Sequence, residues 1–317
     1  MPIKIPSRLP AREILETEGI LVIGEERASL QDIRPLQIAI LNLMPEKIKT
    51  ETQLARVLGS SPLQIEMTLV ALETHKPKTT PEQHLLDFYR PFNEIKGKKF
   101  DGLIITGAPI EKLPFEEVTY WDELRRIFDW TLTHVHSSFN LCWGAQAALY
   151  HFYGIQKYLL EQKYFGVYDH MVLDHSAMIM RGLNDIIAVP VSRHTENRKG
   201  DFARFSNLQI IMDSSETGIC MVTDHKKNHI HMFNHLEYDA NTLAEEYNRD
   251  LAKGDKISVP ANYYEADDPT NIPISRWRSS AHLLYCNWLN MIYQTTPYEI
   301  NKIGMQYLAN SNRAQTT

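Results

Sequence analysis

The residues best placed for chemistry in this chain are one thiol, one imidazole and one carboxylate. In Asn140-Leu141-Cys142-Trp143-Gly144-Ala145-Gln146 a short apolar run ends in Cys142, and an Ala-rich helical stretch starts two residues later. A residue on so sharp a strand-to-helix turn is held in a strained backbone conformation, and Gly144 lets the helix start close to the strand. The sulfur of Cys142 then projects beyond the carboxyl end of a sheet, above unpaired helix amides and a positive dipole end that favour the thiolate. Most free cysteines are only small buried hydrophobes. Cys220 and Cys286 have no such context. Further along, His235-Leu236-Glu237 follows an apolar run, so Glu237 can reach one nitrogen of an imidazole whose other nitrogen serves as base. The chain has 13 histidines, and His225, His229, His231 and His235 crowd one stretch. No HExxH frame surrounds them, and no metal is expected.

The oxyanion of an acyl-transfer step would be met by backbone donors. These are the amide of Trp143, directly after the thiol, and one from Thr106-Gly107-Ala108-Pro109, where Gly107 lets main chain approach a ligand. Arg249, in a helical stretch from Asp239 to Ala252, can bind an α-carboxylate with two parallel hydrogen bonds. Glu246 lies one turn earlier on the same face and could meet an amino group. Lys47 is a further candidate beside an acyl donor.

Cys-x-Gly-x-Gln followed by His-x-Glu resembles the class I glutamine amidotransferases. The longer strings LNLMPEKIKTETQ, FDGLIITGAP, NLCWGAQAALYHFYGI, SRHTE and FNHLEYD resemble the homoserine O-acyltransferase family, and the resemblance covers nearly the whole chain. It implies transfer of an acetyl group from acetyl-CoA to L-homoserine through a thioester on Cys142, with His235 and Glu237 completing the catalytic set. Acetyl-CoA is then a co-substrate, and no cofactor is held permanently. The resemblance also implies homoserine contacts at Lys163, Ser192 and Arg249, and a homodimer. Glu111, just after TGAPI, matches a position associated with donor choice, where Glu goes with acetyl and Gly with succinyl. A succinyl-CoA enzyme, or more remotely a glutaminase, is the alternative.

These groups must be carried by alternating strands and helices. Leu36–Leu43 and Phe100–Ile105 are too apolar for a one-sided sheet and predict buried parallel strands, joined by Gln64–Ala71 and Ser138–Leu141. Pro45–Leu58, Thr80–Phe92, Trp121–His134 and the stretch after Cys142 predict the crossover helices. Gly182–Val191, Leu208–Met212, Ile219–Thr223 and Ile230–Phe233 read as further strands, Val259–Pro273 as a long loop and Arg276–Gln294 as an apolar helix. The first 35 residues read as a Pro-bearing lead with a helical piece at Ala11–Glu18 and a strand at Ile20–Ile23, and Asn310–Thr317 as a frayed end. The expected fold is α/β, a flavodoxin-like parallel sheet of the class I glutamine amidotransferase type with N- and C-terminal elaborations. Its expected divisions are 1–35 (extension), 36–255 (catalytic domain) and 256–317 (loop and helix packed on the same domain).

Composition agrees with that frame. The 317 residues are 43% hydrophobic and 23% charged, enough for a large core. A net charge of -6 provides no basic field for nucleic acid. No apolar run reaches the ~18 residues of a membrane span, and the start lacks a signal-peptide core, which points to the cytoplasm. Three widely spaced cysteines suit reduced thiols.

Overall fold

The computed structural model describes residues 3–4, 8–17, 22–23, 34–75 and 79–305. Its centre is a twelve-stranded sheet in the order β2-β1-β4-β3-β6-β7-β12-β11-β10-β8-β9, with β5 also paired to β4. The strands are β1 Ile3–Lys4, β2 Val22–Ile23, β3 Leu36–Leu41, β4 Ile65–Ala71, β5 Tyr89–Pro91, β6 Phe100–Ile105 and β7 Val135–Leu141. They continue as β8 Tyr158–Val172, β9 Ile186–Glu196, β10 Leu208–Ser214, β11 Gly218–Asp224 and β12 His229–Met232.

From β2 to β12 every pairing is parallel, whereas β11, β10, β8 and β9 add on antiparallel. The parallel half is apolar because both faces are covered. On one face Ile38, Ile40, Ile104, Phe139 and Leu141 pack with Leu54 and Leu58 of helix Lys47–Gly59 and with Leu284, Tyr285 and Trp288 of helix Arg278–Thr295. On the other, Ala39, Leu41, Leu103 and Ile105 meet Leu124, Ile127 and Phe128 of helix Trp121–His134 and Trp143, Ala147 and Ala148 of helix Trp143–Tyr153. This is the two-residue alternation of a strand filling two separate cores.

Several expectations move. β8 stands where no strand was expected, because Glu161, Lys163, Asp169 and Gly166 interrupt any apolar alternation in a hairpin whose faces are only partly buried. β9 runs Ile186–Glu196, four residues later than Gly182–Val191 at its start and five at its end. The Thr80–Phe92 segment splits into helix Glu82–Phe88, β5 and a short helix Phe92–Ile95. The lead contributes β1 and β2 to the sheet and a helix Ala11–Thr17. Ile20 and Leu21 of the expected first strand, and Asn310–Thr317, lie outside the described residues. No helix among the described residues is long and apolar enough to cross a membrane.

The hairpin β8-β9 is tied to the loop before the last helix at a single glycine. Val167 N–H donates to Ala261 O at 2.8 Å and Ala261 N–H to Phe165 O at 3.0 Å. Gly166, with φ of +150°, lies so close that a Cβ would stand 2.4 Å from Ala261 O. Gly166→Ala is expected to cost about 2 kcal/mol or more by combined crowding and backbone strain, read as a fall in denaturation midpoint. An unchanged midpoint would contradict this packing.

Candidate active site

Cys142 links β7 to helix Trp143–Tyr153, and its backbone sits at φ 49°, ψ −117°, a region that non-glycine residues rarely adopt. Two contacts impose it. The Cys142 N–H donates to Met232 O at 2.6 Å, continuing the β7-β12 ladder. Gly144 also brings the helix against the end of β6, where a Cβ would stand 2.6 Å from Thr106 O and 3.0 Å from Ile105 O. Trp143 is the first helical residue, so its amide has no intrahelical acceptor. Gly107 faces the thiol, since a Cβ there would come 3.1 Å from Cys142 Cβ and 3.7 Å from Sγ. The loop carrying Gly107 is fixed by Leu43 N–H donating to Thr106 Oγ1 at 2.7 Å.

His235 follows β12, anchored by its N–H to Pro190 O at 2.9 Å. Its Nδ1 bonds Glu237 Oε1 at 2.7 Å, and the ring also hydrogen-bonds the Cys142 side chain. Burial alone would lower the imidazole pKa, but Glu237 and then Cys142 outweigh it, so His235 is held well above the usual histidine range. The ring beside the thiol is therefore favoured as imidazolium. Tyr238 lies flat on the His235 ring, centroids 4.2 Å apart at 14°, and fixes its plane. Sequence reading gave Tyr238 no role, although it stands in the quoted FNHLEYD string.

Cys142, His235 and Glu237 line a cavity of about 210 Å³ together with Gly107, Glu111, Ser192, Glu246 and Arg249. Glu246 is the hub of its far wall. Its Oε1 accepts from Ser192 Oγ at 2.7 Å and from Lys163 Nζ at 2.5 Å, with Arg249 Nη2 at 3.7 Å. Arg249 Nε also pairs with Asp250 Oδ1 at 2.7 Å. Lys163, Ser192 and Arg249 thus come together from β8, β9 and helix Thr242–Ala252 around a carboxylate that sequence reading had placed only beside Arg249. Glu111 Oε2 accepts the His194 N–H at 2.6 Å, and burial, outweighing that bond, raises its pKa above the usual carboxylate range.

Lys47 does not face this cavity. Burial lowers its pKa to about 8, its Nζ donates to Asn42 O, and it lines two adjoining cavities. The histidines separate too. His225 bonds Gln209, while His229 and His231 form with Asp224 a buried group whose ligand atoms lie within 4.8 Å of one another. Burial holds both of these imidazoles neutral, His231 at about 4. The Asp224 carboxylate already accepts from Asn207, Tyr153 and two amides, with Lys227 Nζ 3.7 Å away. A cation is therefore already supplied there, and the group reads as a buried polar patch.

Residues 2–298 match the family model described as homoserine O-succinyltransferase. The chain belongs to that family. Two relatives, each named homoserine O-acetyltransferase, come from Chelativorans sp. (strain BNC1) and Sinorhizobium fredii (strain NBRC 101917 / NGR234). Each is 56% identical over 304 residues, which is 96% of this chain and 97% and 99% of the respective relative. Among solved structures, a glutamine amidotransferase from Thermotoga maritima aligns with a TM-score of 0.57 at 14% identity, covering 82% of this chain and 99% of that one. One from Methylobacillus flagellatus gives 0.50 at 11%, covering 82% and 95%. These two likenesses establish the fold, a class I glutamine amidotransferase-like α/β sheet; Lys163 and Ser192 sit on its antiparallel strands β8 and β9.

The geometry sets an order of sensitivity. His235→Ala is expected to lower kcat/KM by about 10⁴-fold or more and Glu237→Gln by clearly less, since the carboxylate orients the ring but moves no proton. Both should keep a folded melting transition. Because folding raises the His235 pKa, its stabilising contribution is complete below ~6.5 and is lost as pH rises through the higher folded value. The melting advantage of wild type over His235→Gln should therefore shrink on going alkaline. An advantage that grows with pH would contradict the imidazolium pairing.

Proposed function

We propose that the protein is a homoserine O-acetyltransferase that carries the acetyl group on Cys142. The observation that supports this most strongly is the shared cavity, in which a thiol hydrogen-bonded to an elevated-pKa imidazole faces a wall of paired charges. The Cys142 thiolate attacks the acetyl-CoA thioester carbonyl. The tetrahedral oxyanion is met by the amides of Trp143 and Gly107, and collapse expels the CoA thiolate, which takes a proton from the His235 imidazolium. Neutral His235 then accepts the proton of the homoserine hydroxyl as its oxygen attacks the acyl-cysteine. Cys142 leaves again as thiolate, beside the re-formed imidazolium.

The wall opposite is suited to an amino acid. Lys163 and Arg249 are matched by Glu246 and Asp250, so the empty cluster is balanced, and a zwitterion adds one charge of each sign. The homoserine α-carboxylate takes Arg249 and Lys163, and its ammonium takes Glu246, with Ser192 holding that carboxylate in place. The substrate hydroxyl then points toward His235. A homodimer, as the resemblance implies, and a cytoplasmic location belong to the same reading.

The donor is read from Glu111. A succinyl group would place a second carboxylate in a cavity where burial already disfavours one, and would fill space that acetyl leaves open. The relatives' names support acetyl, while the family description names succinyl. CoA release from acetyl-CoA should require L-homoserine and be unaffected by glutamine. Glu111→Gly should shift the succinyl-to-acetyl ratio of kcat/KM toward succinyl by about tenfold or more, the scale of one like-charge contact removed. Glutamine-dependent ammonia release, or a Glu111→Gly variant with unchanged donor ratio, would overturn the respective part.

A further inference from the structure

The chemistry above needs room for a long acyl donor, and the catalytic cavity does not supply it. At about 210 Å³ it lies below the ~300–1,000 Å³ of ordinary small-molecule sites, enough for an amino acid and an acetyl group but not for a coenzyme. A second cavity, of about 320 Å³, adjoins it, and Met44, Ala108 and Pro109 line both. Ala108 follows Gly107, which stands against Cys142, so the second cavity opens one residue along the loop that faces the sulfur. It lies beyond the carboxyl ends of the parallel strands, where ligands of such sheets sit. Its walls are mostly apolar, with Leu43 after β3, Leu72 after β4, and Ile110 and Tyr120 from the segment between β6 and helix Trp121–His134.

One polar group in these walls is unanswered. Tyr120 is 6% exposed, and its ring packs edge-on against His75 and Trp143, with centroids 5.1 and 6.2 Å apart. Among the described residues its hydroxyl has no hydrogen-bond partner. A buried hydroxyl is costly to leave so, unless a ligand accepts from it. Lys47 and Thr79, neither of which lines the catalytic cavity, border both this cavity and a third of about 700 Å³, so the apolar slot has a way out. The third cavity also meets the catalytic one directly, at Glu46, Lys49 and Glu245, with Lys49 paired to Glu245. Between the two routes chemistry decides. The pantetheine arm of CoA is a neutral chain of methylenes, amides and a geminal dimethyl group, which suits an apolar slot with one free donor better than a border of charges.

We propose that the apolar cavity is the subsite for the pantetheine arm of the acyl donor, entered past Ala108 and Pro109, with an amide carbonyl of the arm accepting from the Tyr120 hydroxyl. This rests on acetyl transfer from CoA to Cys142. Burial of the arm there holds the thioester against the Gly107 loop, so binding far from the sulfur serves the reaction at it.

The test follows acetylation of Cys142 by mass spectrometry, without homoserine, from S-acetylpantetheine and from S-acetyl-N-acetylcysteamine, a donor cut off after its first amide. In each case the acetyl group passes to the Cys142 sulfur and the donor's thiol is released. The ratio of the two second-order rate constants measures what the rest of the arm contributes, and in wild type it should be about tenfold or more in favour of pantetheine, from the apolar surface the arm buries. Ala71→Leu fills the apolar cavity from the end of β4 at a position that does not line the catalytic one. It should bring the ratio down to about one while the cysteamine thioester reacts as with wild type. Tyr120→Phe keeps the ring packing and should lower the ratio about fivefold, the scale of one hydrogen bond. A wild-type ratio of about one overturns the inference, and so does a ratio that Ala71→Leu leaves in place. Should Ala71→Leu not fold, an unmoved ratio in Tyr120→Phe overturns it. In all of these outcomes Cys142 still gains its acetyl group, so this inference would fall alone. Failure of both thioesters to modify Cys142 would sink the acyl-cysteine reading and this inference with it.

Discussion

Everything in the site depends on one backbone constraint, the left-handed turn at Cys142. The strand β7 must end and helix Trp143–Tyr153 must begin within one residue, because Gly144 lies against the main chain of Ile105 and Thr106 and Cys142 N–H is bound to Met232 O. Strain at that residue is held by two apolar cores, one on each face of the parallel half of the sheet, which make the helix unable to retreat. The sulfur is thereby aimed between the Gly107 loop and the His235 ring.

The second organising principle is charge balance in a small cavity. Several ionic groups there are answered by another: His235 by Glu237 and Cys142, Lys163 and Arg249 by Glu246 and Asp250. In such surroundings a net charge added without its counter-charge is costly. A neutral acetyl group and a zwitterionic acceptor both respect that balance, and a succinyl carboxylate beside Glu111 does not. In the proposed reading, donor choice and acceptor choice follow from one electrostatic rule.

What could be seen in the sequence follows from how local each feature is. The turn at Cys142 is encoded within seven residues, and helix Trp121–His134 and strand Phe100–Ile105 fall where their apolar patterns put them. The H-x-E pair is equally local. Around Glu246, Ser192 and Lys163 come from 54 and 83 residues away, so only resemblance pointed to them, whereas Arg249 could also be read from its helix, and nothing marked Glu246 as their centre. β8 escaped notice for a related reason: an antiparallel hairpin whose faces are only partly buried, with a bulge between Leu159 and Tyr164, has no clean two-residue period. The histidines show that spacing to a carboxylate says more than crowding. His229 and His231, alternate residues of β12, share one buried group with Asp224, whereas His235 lies beyond the strand and is set apart by its turn and its carboxylate.

The account's central claim is that Cys142 carries the acyl group, and intact-protein mass spectrometry tests it most directly. Incubated with acetyl-CoA in the absence of homoserine, the protein should gain the mass of one acetyl group, mapped by peptide analysis to Cys142 and absent from Cys220 and Cys286, and the adduct should disappear on adding L-homoserine. An unmodified protein that nevertheless turns over, or an adduct spread across all three thiols, would contradict it.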